Sequence, residues 1–132
     1  MNRNMSGAAF ALIVSMLGIE SAQSADLAIQ KFPDVLDVKV QTRADNRFDF
    51  DVTVSSPYDT PKRYADAFRV TGADGVQYGE RILVHDHQNE QPFTRDLYGV
   101  NIPKSVRFVV VQARDRQHGY GGASVQVDLP GR

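Results

Sequence analysis

Arg47-Phe48-Asp49-Phe50-Asp51-Val52-Thr53-Val54-Ser55 is the stretch that decides the fold. Phe48, Phe50, Val52 and Val54 alternate with Asp49, Asp51, Thr53 and Ser55, the period of two expected of a strand with one buried and one wet face. A helix would scatter those four apolar side chains around its circumference. Just upstream, Leu36, Val38 and Val40 alternate with Asp37, Lys39 and Gln41, and Ala44-Asp45-Asn46-Arg47 supplies the turn between the two runs. Before them, Asp26 to Asp34 is a lead-in ended by Pro33.

Downstream the same grammar repeats. Pro57 and Pro61 fix a surface loop, Ala67 to Thr71 reads as a third strand, and Gly72-Ala73-Asp74-Gly75 is a hairpin turn. The fourth strand runs from Val76, with Val76, Tyr78, Ile82 and Val84 expected toward the core. Gln77, Gly79, Arg81, Leu83 and His85 then face away, and His87 with them. A fifth strand, Pro92 to Val100, has two candidate buried sets, Phe93 with Leu97 or Tyr98 with Val100. The nearly continuous apolar run Val106 to Ala113 reads as a central strand covered on both faces. Residues Arg114 to Gly122 form the last long turn, and Ala123, Val125, Val127 and Leu129 close the domain before Pro130. The expectation is an all-β chain, a single seven-stranded antiparallel sandwich, immunoglobulin-like or fibronectin-like. The Cys-Trp-Cys core of true immunoglobulin domains is absent, so the likeness is one of architecture, which carries no function.

At the N-terminus, Arg3 precedes an apolar run from Ala8 to Ile19 that is too short to span a bilayer. Ala22 and Ser24 follow at signal-peptidase spacing. Residues 1–24 therefore read as a signal peptide cleaved after Ser24, with Ala25 as the alternative, and 25–132 as the β-sandwich domain. An N-terminal helix of the domain itself is the competing reading. With no cysteine the chain has no disulfide and no thiolate ligand, which suits a periplasmic or secreted protein of a Gram-negative bacterium better than a small eukaryotic secreted module. The formal net charge of −1 argues against nonspecific nucleic-acid binding, and no basic amphipathic helix points to a membrane surface.

Chemistry concentrates in one place, Leu83-Val84-His85-Asp86-His87-Gln88-Asn89-Glu90-Gln91-Pro92-Phe93-Thr94-Arg95, which holds two of the three histidines. His85 and His87, two apart on a strand, would share a face and make half of a metal site. His118 and Glu90 are the candidates to complete it. Imidazole and carboxylate without sulfur suit Zn(II) or Cu(II), and all three methionines fall in the expected signal, which weighs against a Cu(I) carrier. The plainer reading, polar loop residues that tie turns, is favoured because a lone His-x-His has little specificity. Arg95 offers a fork for an anion or partner but also an ion pair to Glu90. Asp49 and Asp51 share a strand face without a cleft, so a solvated face paired to Lys39 or Arg69 is favoured over glycosidase chemistry. The glycines of His118-Gly119-Tyr120-Gly121-Gly122 open a strand and not a helix, so a tight turn displaying Tyr120 is favoured over a phosphate cradle. Tyr58, Tyr64 and Tyr120 are candidates for an aromatic recognition patch. No nucleophile elbow and no cysteine support covalent catalysis.

The runs His85-Asp86-His87, Glu90-Gln91-Pro92-Phe93-Thr94-Arg95, and Arg114-Asp115 with His118-Gly119-Tyr120-Gly121-Gly122 resemble those of a family of small exported bacterial proteins with no assigned activity. The resemblance implies export and a sandwich fold and transfers no catalytic residue. The leading expectation is a non-enzymatic exported protein without cofactor. Its loops His85–Arg95 and His118–Gly122 form one recognition surface for another periplasmic protein. The alternative is a periplasmic Zn(II)- or Cu(II)-binding protein.

Overall fold

A computed structural model describes residues 30–132, so the expected signal segment lies outside the described residues. Lys31 to Arg132 form one compact unit. Its strands are β1 (Asp34–Arg43), β2 (Arg47–Ser55), β3 (Ala65–Thr71), β4 (Gln77–Ile82), β5 (Phe93–Asn101), β6 (Phe108–Asp115), β7 (Gly119–Tyr120) and β8 (Val125–Asp128). They make two antiparallel sheets, β1-β2-β5 and β4-β3-β6-β7, with β8 also pairing β6. The two-residue β7 borders residues 114–115 and β8 borders 108–111, so together they fill one strand position. Seven positions in two sheets is the expected sandwich. Relative to a constant-type immunoglobulin domain, the fourth strand has moved beside the third, the fibronectin-like choice.

The alternation of β2 holds along its whole length, with Phe48, Phe50, Val52 and Val54 buried. Across the sandwich they meet Phe68, Val70, Val109, Val111 and Ala113, and Phe93 and Ile102 close the ends. The β1–β2 turn works because Asp45 and Asn46, at φ 63° and 62°, are the residue types that tolerate the left-handed region best after glycine.

Irregular pairing accounts for most departures from simple alternation. A bulge between Val35 and Asp37 turns Val35 inward and leaves Leu36 54% exposed, correcting the expected burial of Leu36, while Val38 and Val40 stay on the core side. Opposite Phe48 and Phe50 a second shift lets Leu97 and Val100, three apart, both face inward around Gly99 at φ 69°. The two candidate sets for the fifth strand are thus merged, and Tyr98 is outside. A third shift between Val70 and Thr71 inverts β4. Gly79 packs toward Leu97 and Val100, Leu83 is buried, and Ile82 and Val84 are exposed, the reverse of the expected register there, while Tyr78 packs against the core as expected. Strand β6 is central in its sheet, but its faces differ. Val109, Val111, Ala113 and Asp115 are buried and the alternate residues half-buried, because among the described residues no layer covers the outer side.

Candidate functional site

Strand direction decides which loops are neighbours. Asp34 pairs with Ser55, and Val54 with Phe93, so β1 begins, β2 ends and β5 begins at one end of the sandwich. In the second sheet Ala65 pairs with Asp115, and Ala67 with Ile82, so β3 begins while β6 and β4 end together. The Ser56–Tyr64 loop joins β2 to β3, and the Leu83–Pro92 segment joins β4 to β5. Both therefore lie at the same end as the Arg116–His118 turn.

Two buried carboxylates tie these loops together. Asp115, fully buried at the tip of β6, accepts from the Tyr58 hydroxyl at 2.6 Å and from the backbone N–H groups of Gln117 and His118 at 2.9 Å each. Arg63 completes its shell, with Nε 3.2 Å away and the guanidinium stacked over Tyr58 at 4.0 Å. Burial alone drives the Asp115 carboxyl up. The Tyr58 hydroxyl, the two N–H groups and Arg63 outweigh it and hold Asp115 below the usual carboxylate range. Asp59, also buried, accepts from the backbone N–H of His87 at 2.9 Å and of Ala65 at 3.2 Å. Burial dominates there, and the Asp59 carboxyl is pushed up. Gln91 adds a third tie, its amide oxygen accepting from Ser56 N–H at 2.7 Å and its amide nitrogen donating to the His87 carbonyl at 3.0 Å. The Ser56–Tyr64 loop is thus the keystone. One side holds the His85–Arg95 segment through Asp59, and the other holds the Arg116–His118 turn through Tyr58 and Arg63.

The histidine pair forms, with ring centroids 4.8 Å apart, but not as two outward ligands. His85 is exposed, while His87 is 6% exposed and lies flat on Phe93, centroids 4.0 Å apart and planes at 12°. The expectation that His87 points away from the core is corrected, because β4 stops at Ile82 and the chain beyond it folds back toward Asp59. His118 sits in the β6–β7 turn with its ring edge-on to Phe32. Among the described residues, no three His, Asp or Glu side chains gather as a metal ion requires. Glu90 and Arg95 pair at 2.9 Å, and Arg95, beside Glu90, holds that carboxyl below its usual value. His85, His87, Glu90 and Arg95 line a shallow hollow of about 220 Å³.

The tyrosines separate. Tyr64 lies at the loop end, its hydroxyl 3.4 Å from the Val84 carbonyl and Arg116 over its ring at 5.4 Å. Tyr120 lies on the outer face of the second sheet, donating to Glu80 at 2.6 Å beneath Arg69 at 3.8 Å. Burial and the Glu80 carboxylate both push its phenol up. Gly121 and Gly122 explain the glycine run. A Cβ on Gly121 would strike the Phe32 ring at 2.5 Å, and one on Gly122 the Pro33 carbonyl at 2.2 Å. The lead-in chain crosses there, with the Asp34 carboxylate taking the Ala123 N–H at 2.8 Å. Asp49 accepts from Gly99 N–H and Arg43, and Asp51 from Tyr98, while Lys39 stands directly opposite Asp51 in the β1–β2 register. Arg69 belongs to the other sheet.

No protein-family model matches the chain. A protein of Halomicrobium mukohataei named "Putative lipoprotein" is 32% identical over 109 residues, a match covering 83% of this chain and 53% of that protein. The chain spans about half the length of this relative.

The sequence singles out the histidines and tyrosines but gives no role to Asp59, Gln91 and Asp115, although Gln91 and Asp115 stand in the runs that carry the resemblance. Their one available signal is placement, polar residues beside proline or at the tip of an apolar strand, where unpaired loop N–H groups need acceptors.

Proposed function

We propose that this chain is an exported, non-enzymatic β-sandwich binding module whose recognition surface is the loop end of the sandwich. The supporting observation is that two buried carboxylates weld the Ser56–Tyr64 loop, the His85–Arg95 segment and the Arg116–His118 turn into one platform. Holding loops rigid lowers the ordering cost of binding, and exposed His85, Gln88, Asn89, Glu90 and Arg116 present mixed polar chemistry on that platform. The opposite end offers the short Arg43–Arg47 turn and the Gly72–Gly75 hairpin. Export rests on the apolar N-terminal segment followed by small residues, and on the word lipoprotein in the name of the relative. The partner proposed is another protein outside the cytoplasm.

The test is site-specific photo-cross-linking in cells that export the protein, with the probe at Gln88 or Arg116 and, as controls, at Asp45 or Lys104. Adducts of one discrete mass from the first pair alone support the reading. Adducts from the control pair alone, or equally from all four positions, remove it.

A further inference from the structure

His87 carries a titratable ring that a sandwich core does not require. The imidazole is pressed between Phe93 and His85, and its Nδ1 is buried with no hydrogen-bond partner. A neutral ring tolerates this, with the proton on Nε2 and a bare acceptor at Nδ1. An imidazolium carries N–H on both nitrogens, so protonation would bury a charged donor without an acceptor. The groups facing the ring come from every element packed around it. His85 and Glu90 belong to its own segment, Arg95 and Phe93 to β5, and Asp59 to the keystone loop. Arg95 and His85 repel a cation there, while Asp59 and Glu90 favour one. Residues 85–91, between the two strands, are held by the Asp59 and Gln91 hydrogen bonds, the Glu90–Arg95 ion pair and this ring stack, with no strand pairing of their own among the described residues.

We infer that residues 85–91, between β4 and β5, are an acid-released latch, in which protonation of His87 frees them from Phe93 and Asp59 while both sheets stay folded. Burial, first, and then Arg95 and His85 hold the imidazole below its ordinary value of 6.5. The sign follows from that direction. Closure is fully favoured above 6.5, weakens as pH falls below it, and levels off beneath the depressed value of the closed form. Asp59 has the opposite sign, because its raised carboxyl gains a proton more readily in the closed form. An Asp59→Asn background therefore isolates the histidine. The latch is read in the free protein, so its failure leaves the recognition surface proposed above untouched.

The experiment is amide hydrogen exchange of His87 and Glu90 in the whole domain with a chelator present. It compares about pH 7.5 with about pH 5, corrected for intrinsic rates and referred to Val52 in β2. The expected result is an about tenfold loss of relative protection in the wild type and none in His87→Phe, which keeps the ring stack without a proton site. No loss in the wild type, or an equal loss in His87→Phe, overturns the latch. A direct NMR titration of the wild-type ring covers the case in which His87→Phe fails to fold, since a value at or above 6.5 also overturns it.

Discussion

Asp115 shows how a single side chain organises the loop end. Its carboxylate is fully buried yet holds the Tyr58 hydroxyl, Arg63 and two turn N–H groups, so every acceptor position has a use. Replacing it with alanine removes the acceptor of the Tyr58 hydroxyl and of two backbone N–H groups and breaks the ion pair to Arg63, which keeps its bond to the Lys31 carbonyl, and the expected cost by urea unfolding is about 3–5 kcal/mol. The depressed carboxyl also fixes a pH dependence. Its contribution is present above the unfolded carboxyl value of about 3.9 and is lost as pH falls through the lower folded value. Stability of Asp115→Ala is accordingly expected to fall less steeply between about pH 4 and pH 2 than that of the wild type. At this scale the sequence is least legible. An aspartate after an apolar strand reads the same whether it is solvated or caps a turn, and only the fold brings Tyr58 and Arg63 to it.

At the scale of elements, a strand was legible where it carries no extra residue of its own. The Phe48–Val54 alternation is visible because the shifts in its two pairings add residues to β1 and β5 and none to β2. Leu36, Ile82 and Val84 misled because a bulge adds one residue and flips every side chain beyond it, and a bulge is a property of two strands and not of one. The glycines that permit these irregularities give separable predictions. Gly75 has φ +87° with open space at its Cβ position, so Gly75→Ala is expected to cost about 1–2 kcal/mol for the left-handed backbone alone. Gly122, at φ +72°, adds a clash with the Pro33 carbonyl, so Gly122→Ala is expected to lower the melting temperature clearly more than Gly75→Ala. Equal melting temperatures for the two variants would show that the lead-in chain does not press on that turn.

Lys31 to Arg132 make a fibronectin-like frame with its chemistry gathered at one end. The frame was readable from periodicity, whereas the shared end of the two marked loops follows from the strand pairings. What stayed hidden was the keystone, because Asp59 and Gln91 act through backbone N–H groups of residues about 28 and 35 positions away in the chain, distances at which sequence spacing carries no signal. The frame itself rests on the core. Phe50, fully buried at its centre, is expected to cost about 3–5 kcal/mol as Phe50→Ala by the same urea measurement.

The claim that the loop end is one platform makes a demand that separate loops would not meet. Asp115 and the His87 N–H share no bond. The Ser56–Tyr64 loop links them, giving Tyr58 and Arg63 to one and Asp59 to the other. The decisive measurement is therefore amide exchange of His87 in Asp115→Asn, referred to Val52 in β2 so that global unfolding cancels. The platform predicts that His87 exchanges faster together with Gln117 and His118. Faster exchange at Gln117 and His118 with His87 unchanged would contradict it.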